Sequence, residues 1–353
     1  MSRAAGVRDV ARRCVTVPAL LALIPLALAL LLVTVALAPL SLLAGRHGRG
    51  LQPQRLALYA FVYLVADLAG VCAALVARLR CLGGGPERRE RLVALNYRLL
   101  ARLLGCLVGC SRRIFALSVE VDPPIPGPGV RPPDGMVVFA RHAGPGDSIL
   151  LVHGLVCGAG LRPQVVLKEF LRWDPCMDLV LSALPHCFVP RHADTDGRTS
   201  DAIGALAARL APGDALVVFP EGGNFTERRR RRSIRWLVRT GQLRRAARAR
   251  RQHHVLPPRM AGPLAALTGA RDAGAAVVFV AHTGLDRIDS PSRLWSSIPL
   301  RESVRATWWS VPSRAIPRGR EARESWLTDQ WSRVDAWIGH ERTESASPRA
   351  ASS

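Results

Sequence analysis

Apolar positions along this chain fall into two textures: long runs before about residue 115, and short runs separated by polar stretches after about residue 135. No charged residue occurs between Arg13 and Arg46, and residues 15–44 are almost all Leu, Ala and Val. A bilayer core about 30 Å thick needs roughly 20 apolar residues, so this run is long enough to cross. Pro25 and Pro39 are expected to kink or end its helix. The run also has the arginine-led shape of a signal peptide, but its length and the second segment behind it favour an anchor. That second segment, residues 56–77, holds one ionisable side chain, Asp67, expected to pair with an arginine or to sit neutral in a helix contact near Gly70. Residues 92–114 are apolar as well. There Arg91, Arg98 and Arg102 fall near one helical face, which predicts a helix lying in the membrane interface.

A Pro/Gly-rich stretch, residues 122–135, closes this part. Beyond it, residues 136–140, 164–167, 215–219 and 275–281 read as buried strands, and residues near 148–157, 198–210 and 260–273 as helices. Strand–helix alternation predicts an α/β domain, a largely parallel sheet with flanking helices, preceded by an N-terminal transmembrane helical hairpin. The expected organisation is a membrane-anchoring region over 1–115, a linker over 116–135, the α/β domain over 136–340 and a disordered polar tail over 341–353.

Composition changes this picture in two places. The formal net charge is +22, which calls for an anionic partner: nucleic acid, a membrane surface or phosphorylated substrates. All but one of the 49 basic residues are arginine, and Lys168 is the exception, so genome composition accounts for part of the skew. Four arginines precede the first apolar run, three lie between the two runs, and Arg78, Arg80, Arg88, Arg89 and Arg91 follow, which favours both ends of the hairpin on the cytoplasmic side. The eight cysteines form no C-x-x-C pair, and several sit in apolar runs. They read as reduced, structural thiols rather than a zinc site or a disulfide scaffold.

Candidate chemistry concentrates at two predicted strand ends. In Val137-Val-Phe-Ala-Arg-His-Ala-Gly-Pro-Gly-Asp-Ser148 a buried strand runs into His142, a Gly-Pro-Gly turn and Asp147 at a helix start. So tight a turn brings the Asp147 carboxylate back to one imidazole nitrogen of His142 and leaves the other to accept a proton. The bland alternative is a helix cap beside a turn histidine. In Ala215-Leu-Val-Val-Phe-Pro-Glu-Gly-Gly-Asn-Phe-Thr226 another strand enters a glycine loop whose carboxylate and amides suit hydroxyls or phosphate oxygens.

Together, H-x-x-x-x-D followed some 70 residues later by F-P-E-G resembles the glycerolipid acyltransferase family, which includes the 1-acylglycerol-3-phosphate acyltransferases. Further blocks carry the resemblance: Val165-Val-Leu-Lys-Glu-Phe170, Cys187-Phe-Val-Pro-Arg191 and His254-Val-Leu-Pro-Pro-Arg-Met-Ala-Gly262. The last of these, with the Trp-rich region 308–337, is similar to the lysocardiolipin and lysophosphatidylinositol acyltransferase branch. Two positions depart from the family pattern. Arg141 stands where an asparagine is usual, and Gly223-Asn224 where Thr-Arg is usual, which bears on the acceptor head group.

The resemblance implies transfer of a fatty acyl chain from a thioester to a lysophospholipid hydroxyl, with His142 as base and Asp147 fixing its tautomer. It places Arg191, Glu221 and Gly222 at the acceptor site, with Lys168 and Arg259 as further substrate-binding candidates. It implies no cofactor beyond the co-substrate, acyl-CoA or acyl-ACP, so acyl carrier protein is a possible partner. The expected location is the cell membrane, with the catalytic domain on the cytoplasmic side.

Two rival readings are weaker. Gly146-Asp-Ser-Ile-Leu150 looks like the first block of the GDSL esterases, with Ser148 as nucleophile, but no histidine has an aspartate three residues before it. Residues 228–251, half of them arginine, suit either nucleic acid or anionic lipid. The interleaved Ile234, Trp236, Leu237, Val238 and Leu243 favour lipid, so no nucleic-acid partner is expected. His253 and His254 lack partners at ligand spacing, and no metal is expected.

Overall fold

In chain order the elements are α1 (Arg3–Ala36), α2 (Ala38–Ala44), α3 (Gln52–Arg80), α4 (Pro86–Phe115), β1 (Val119–Val121), β2 (Met136–Ala140) and α5 (Asp147–His153). There follow β3 (Arg162–Lys168), α6 (Pro175–Leu181), β4 (His186–Val189), α7 (Arg198–Ala207), β5 (Asp214–Val218), α8 (Glu227–Arg239) and α9 (Leu243–Arg251). The last are α10 (Ala261–Asp272), β6 (Ala276–Thr283), α11 (Pro291–Ser297), β7 (Val304–Val311) and α12 (Arg320–Ala346). The computed structural model describes residues 3–44, 51–83, 85–127, 134–144, 146–189, 197–285, 288 and 291–346. Two compact units result. One comprises Met1–Ser118, Leu167–His186 and Trp295–Arg301, the other Val119–Val166, Cys187–Leu294 and Glu302–Ser353.

The first unit is helical. α1 continues through Pro18 and Pro25 and breaks only at Leu37, so the expected kink at Pro25 does not end it. An apolar run offers the backbone no competing side-chain partner, and each proline costs one hydrogen bond without stopping the helix. Asp9–Ala36, Gln52–Arg80 and Pro86–Phe115 are all long and apolar enough to cross a membrane. The third therefore has the dimensions of a span as well as the arginines that suggested an interfacial helix. Its Tyr97, Leu100, Leu103, Leu104, Leu107 and Val108 are buried at spacings of three and four, one helical face, and α4 packs on α3.

α6 also packs on α3, and polar groups fasten it. Asp67 accepts the Cys176 N–H at 3.2 Å rather than meeting an arginine, and Tyr63 donates to the Asp174 carboxylate. Asp174 in turn caps α6 by accepting the Met177 N–H at 2.7 Å. Gly70 leaves room for the Cys176 Sγ, which would lie 2.3 Å from a Cβ at that position. At the start of α1, Asp178 accepts from Arg12 (2.5 Å) and Arg13 (2.7 Å), while Arg172 bonds Asp9 at 2.6 Å.

The second unit is built on a sheet. Its seven-stranded sheet has the order β1-β7-β6-β2-β5-β3-β4. β2 lies parallel to both β5 and β6, β3 to β5 and β1 to β7, and only the β6–β7 pair is known to be antiparallel among the registers described. β1 lies inside the stretch read as linker, because three residues that pair with β7 carry too little pattern to stand out. Likewise α12 runs to Ala346, six residues into the stretch read as a disordered tail; residues 347–353 lie outside the described residues.

Period-two alternation splits the strands between two environments. Val137, Phe139, Leu216, Val218, Val277, Phe279 and Ala281 enter a core with Leu264, Leu267 and Ala270 of α10. Leu327, Trp331, Val334 and Ile338, at helical spacing along α12, complete it. The alternate residues Met136, Val138, Ala276, Val278 and Val280 line a cavity instead.

Candidate active site

β2 ends at Ala140, one residue before Arg141, whose N–H continues the ladder to the Val280 carbonyl at 3.2 Å. His142 then leaves the sheet and the chain turns back into α5. Gly146, just before the helix, has φ of +86°, which L side chains rarely adopt. Gly144 is pressed against β6's loop so closely that a Cβ would sit 2.3 Å from the Leu285 carbonyl oxygen.

This turn brings Asp147 to His142. Nδ1 lies 3.0 Å from each carboxylate oxygen. The N–H groups of Ala143 (2.7 Å), Gly144 (3.2 Å) and Ser148 (2.6 Å) also point at the carboxylate. Burial raises the Asp147 pKa, but the His142 hydrogen bond, the charges of His142 and His282, and the Ala143 N–H outweigh it and hold the carboxyl below its ordinary value. A carboxylate only accepts, so the proton belongs on Nδ1 and Nε2 keeps its lone pair. Ser148 donates its hydroxyl to the same carboxylate at 3.4 Å, a turn contact and not the geometry of an activated nucleophile.

The second motif arrives because β5 is the parallel neighbour of β2, with Phe139 opposite Val218. The Phe219 ring lies 4.8 Å from the His142 ring, and the Phe225 N–H donates to the His142 carbonyl at 2.7 Å. Gly222 has φ of +66°, and Arg259 crosses it so closely that a Cβ would meet the Arg259 Cδ and Nε at 2.8 Å. The Arg259 N–H bonds the Pro220 carbonyl at 2.8 Å, so the third block joins the site through its backbone.

Glu221, expected at the acceptor site, is 3% exposed, and neither carboxyl oxygen has a hydrogen-bond partner among the described residues. Burial pushes its pKa up to about 8; the Arg141 guanidinium and the N–H groups of Leu256 and His142 favour the ion at longer range. Arg191 lies outside the described residues. Lys168 ends β3, and the position of its side chain is likewise outside the description.

Two contributors were not visible as such in the sequence. Arg141, the departure from the asparagine pattern, is fully buried. It donates to the His254 carbonyl through Nε (3.1 Å) and Nη2 (2.8 Å), and to the His282 carbonyl through Nη1 (2.8 Å). Its planar fork ties the His254 loop to the end of β6 behind His142. His282, near the end of β6, donates from Nε2 to the Arg141 carbonyl at 3.0 Å and lies 3.8 Å from Asp147 Oδ2. The available signal was positional: like His142, it follows a buried run at the carboxyl end of a strand.

Behind Asp147 and His282 opens a cavity of about 430 Å³. Apart from those two residues its walls are almost wholly apolar, among them Ile125, Leu151, Leu155, Val278 and Trp308. It extends along β6 from His282 to Ala276, about 20 Å at strand rise.

Residues 127–261 match the protein family described as Acyltransferase. No curated protein matches the chain.

Proposed function

Through residues 127–261 the chain is a member of the acyltransferase family, and we propose that it moves a fatty acyl chain from a thioester, acyl-CoA or acyl-ACP, to the hydroxyl of a lysophospholipid such as 1-acyl-glycerol-3-phosphate. The observation that carries this reading is the His142–Asp147 pair, whose Asp147 lines a long apolar cavity. In this reading His142 Nε2 removes the acceptor hydroxyl proton as the oxygen attacks the thioester carbonyl. Asp147 holds the tautomer and stabilises the imidazolium. Collapse of the tetrahedral adduct breaks the C–S bond, and the departing thiolate takes the proton back from His142. No acyl-enzyme forms.

The cavity suits the acyl chain: its length matches about sixteen carbons at ordinary C–C bond lengths, and apart from Asp147, His282, Thr307 and Ser310 its lining is apolar. Arg259, exposed beside Gly222, is the cation proposed to meet an acceptor phosphate, with Arg191 its companion. Glu221 shapes the loop from within. The apolar helices of the first unit hold the protein in the cell membrane, with the catalytic domain on the cytoplasmic side.

The test is to supply labelled acyl-CoA and acyl-ACP with a panel of lysophospholipids to the purified full chain. General-base catalysis is worth about 10²–10⁴-fold, so His142→Ala is expected to lose at least about 100-fold in kcat/KM. Transfer to none of the acceptors, or full activity in His142→Ala, overturns the mechanism.

A further inference from the structure

Residues 228–251 contain 12 arginines and no acidic residue, far more cation than the active site uses. Here they form a two-helix hairpin. α8 and α9 meet through Leu237, Ala246 and Ala249, with Ile234 beside them. The fold divides the arginines into two sets. Arg230 turns inward and binds the last carbonyls of α9, Nη2 to Arg250 at 3.0 Å and Nε to Gln252 at 2.5 Å. Arg245 bonds the Pro258 carbonyl at 2.7 Å, and Arg248 pairs with Asp329 at 2.8 Å. These are structural.

The other set faces away. At 3.6 residues per turn, Arg228, Arg231, Arg232, Arg235 and Arg239 form one stripe along α8, opposite the Arg230, Ile234 and Leu237 face. All five are exposed, and only Arg231 has a carboxylate partner among the described residues, Glu227 at 2.9 Å. Codon bias explains arginine in place of lysine; it does not explain a single-sign stripe on one helical face. Large apolar side chains flank it: Trp236 is 47% exposed on one shoulder, Val238 39% on the other, and Leu243 63% just past the turn.

We infer that the α8–α9 hairpin is a membrane-docking element, separate from the N-terminal helices, whose arginine stripe engages the headgroups of anionic phospholipid while Trp236, Val238 and Leu243 enter the interface. A phosphate-tracking surface for nucleic acid needs the stripe but gives Val238 and Leu243 nothing to do. A bilayer uses both, cations at the phosphates and indole and aliphatic groups just beneath. The inference does not depend on the catalytic reading.

The test places a photo-crosslinking benzoylphenylalanine at position 236 of the full chain. The protein is reconstituted in nanodiscs of phosphatidylcholine alone, or of a roughly two-to-one phosphatidylcholine–phosphatidylglycerol mixture. The expected result is a lipid adduct in the anionic discs that falls with rising salt and is at least several-fold weaker in phosphatidylcholine. Each basic residue near an anionic surface is worth about five-fold in partition, so Arg228, Arg232, Arg235 and Arg239→Gln together are expected to abolish the adduct while leaving the melting temperature unchanged. Absence of an adduct in anionic discs, or a yield indifferent to lipid charge and to the four substitutions, overturns the inference. Displacement of the adduct by a short DNA duplex that binds with steep salt dependence assigns the stripe to nucleic acid and overturns it equally.

Discussion

Buried carboxyls decide the electrostatic character of the site. Asp147 and Glu221 are both inside the protein, yet their pKa values move in opposite directions, because three N–H groups and His142 surround one closely, while for the other burial outweighs the more distant Arg141 guanidinium and Leu256 and His142 N–H groups. For Glu221 the folded value, about 8, stands above its ordinary 4.5. The folded state therefore keeps a proton that the unfolded chain releases, and the stability tied to that proton is complete below about pH 4.5 and lost as pH rises toward 8. Glu221→Gln keeps the shape without the titration. Relative to that variant, the wild-type unfolding free energy is expected to fall between about pH 5 and 8, by a few kcal/mol at the upper end, with the melting temperature falling in step. Parallel pH profiles for the two proteins would show that Glu221 is ionised in the fold. Asp147 has the opposite sign: its contribution is present above its ordinary value and is lost on acidification. His282 belongs to this scale too. Because its Nε2 holds the Arg141 carbonyl and its ring borders Asp147, His282→Ala is expected to lower kcat by about ten-fold or more, with a smaller effect on the KM for acyl donor. An unchanged kcat would reduce it to a packing residue.

Strand alternation is the device that builds a core on one side of the sheet and a cavity on the other. In β6, Val277, Phe279 and Ala281 join the core, while Ala276, Val278, Val280 and His282 line the cavity. Ala276 lies at the end of the cavity farthest along β6 from Asp147 and His282. A larger side chain there is expected to shorten the space and leave the His142–Asp147 pair untouched. Ala276→Leu should therefore shift donor preference toward shorter acyl chains by about ten-fold or more, on the scale of one or two methylenes in a hydrophobic pocket. Competition between long and medium acyl thioesters measures this directly, and an unaltered ratio removes the acyl chain from the cavity. The same elements show how far the amino-acid pattern carried. The strand at 136–140 was legible to the residue because five apolar residues in a row have no other buried use at that length. β1 and β7 were not: one has three residues, and the other alternates Arg, Thr and Trp among its apolar positions.

At the scale of the whole molecule, the helical unit is assembled from three separate stretches of chain, so the N-terminal 118 residues are only part of it. Asp178 of α6 is the clearest joint: its side chain is 2% exposed and takes hydrogen bonds from Arg12, Arg13 and Arg172. Removing one member of a buried charge cluster leaves its partners uncompensated and costs about 3–5 kcal/mol. Asp178→Ala is therefore expected to lower the melting temperature in detergent markedly and to open residues 167–186 to proteolysis. A variant as stable as wild type would show that apolar packing alone holds α6 to α3.

Local signals in the sequence determined the apolar helices, the α/β texture and the His142–Asp147 pair, whose partners are only five residues apart and joined by one turn. Tertiary structure alone decided the fate of residues whose partners are distant. Arg141 proved to be a clamp on a loop and a strand end, both more than 110 residues away along the chain. Glu221 proved to be buried, and of the two expectations for Asp67, an arginine partner or a helix contact near Gly70, the fold chose the helix contact, on α6. The arginines of 228–251 were sorted into inward ties and an outward stripe only when α8 and α9 packed. A single side chain carries the same charge in any of these settings, and burial and the nearest donor, both properties of the folded chain, settle what that charge does.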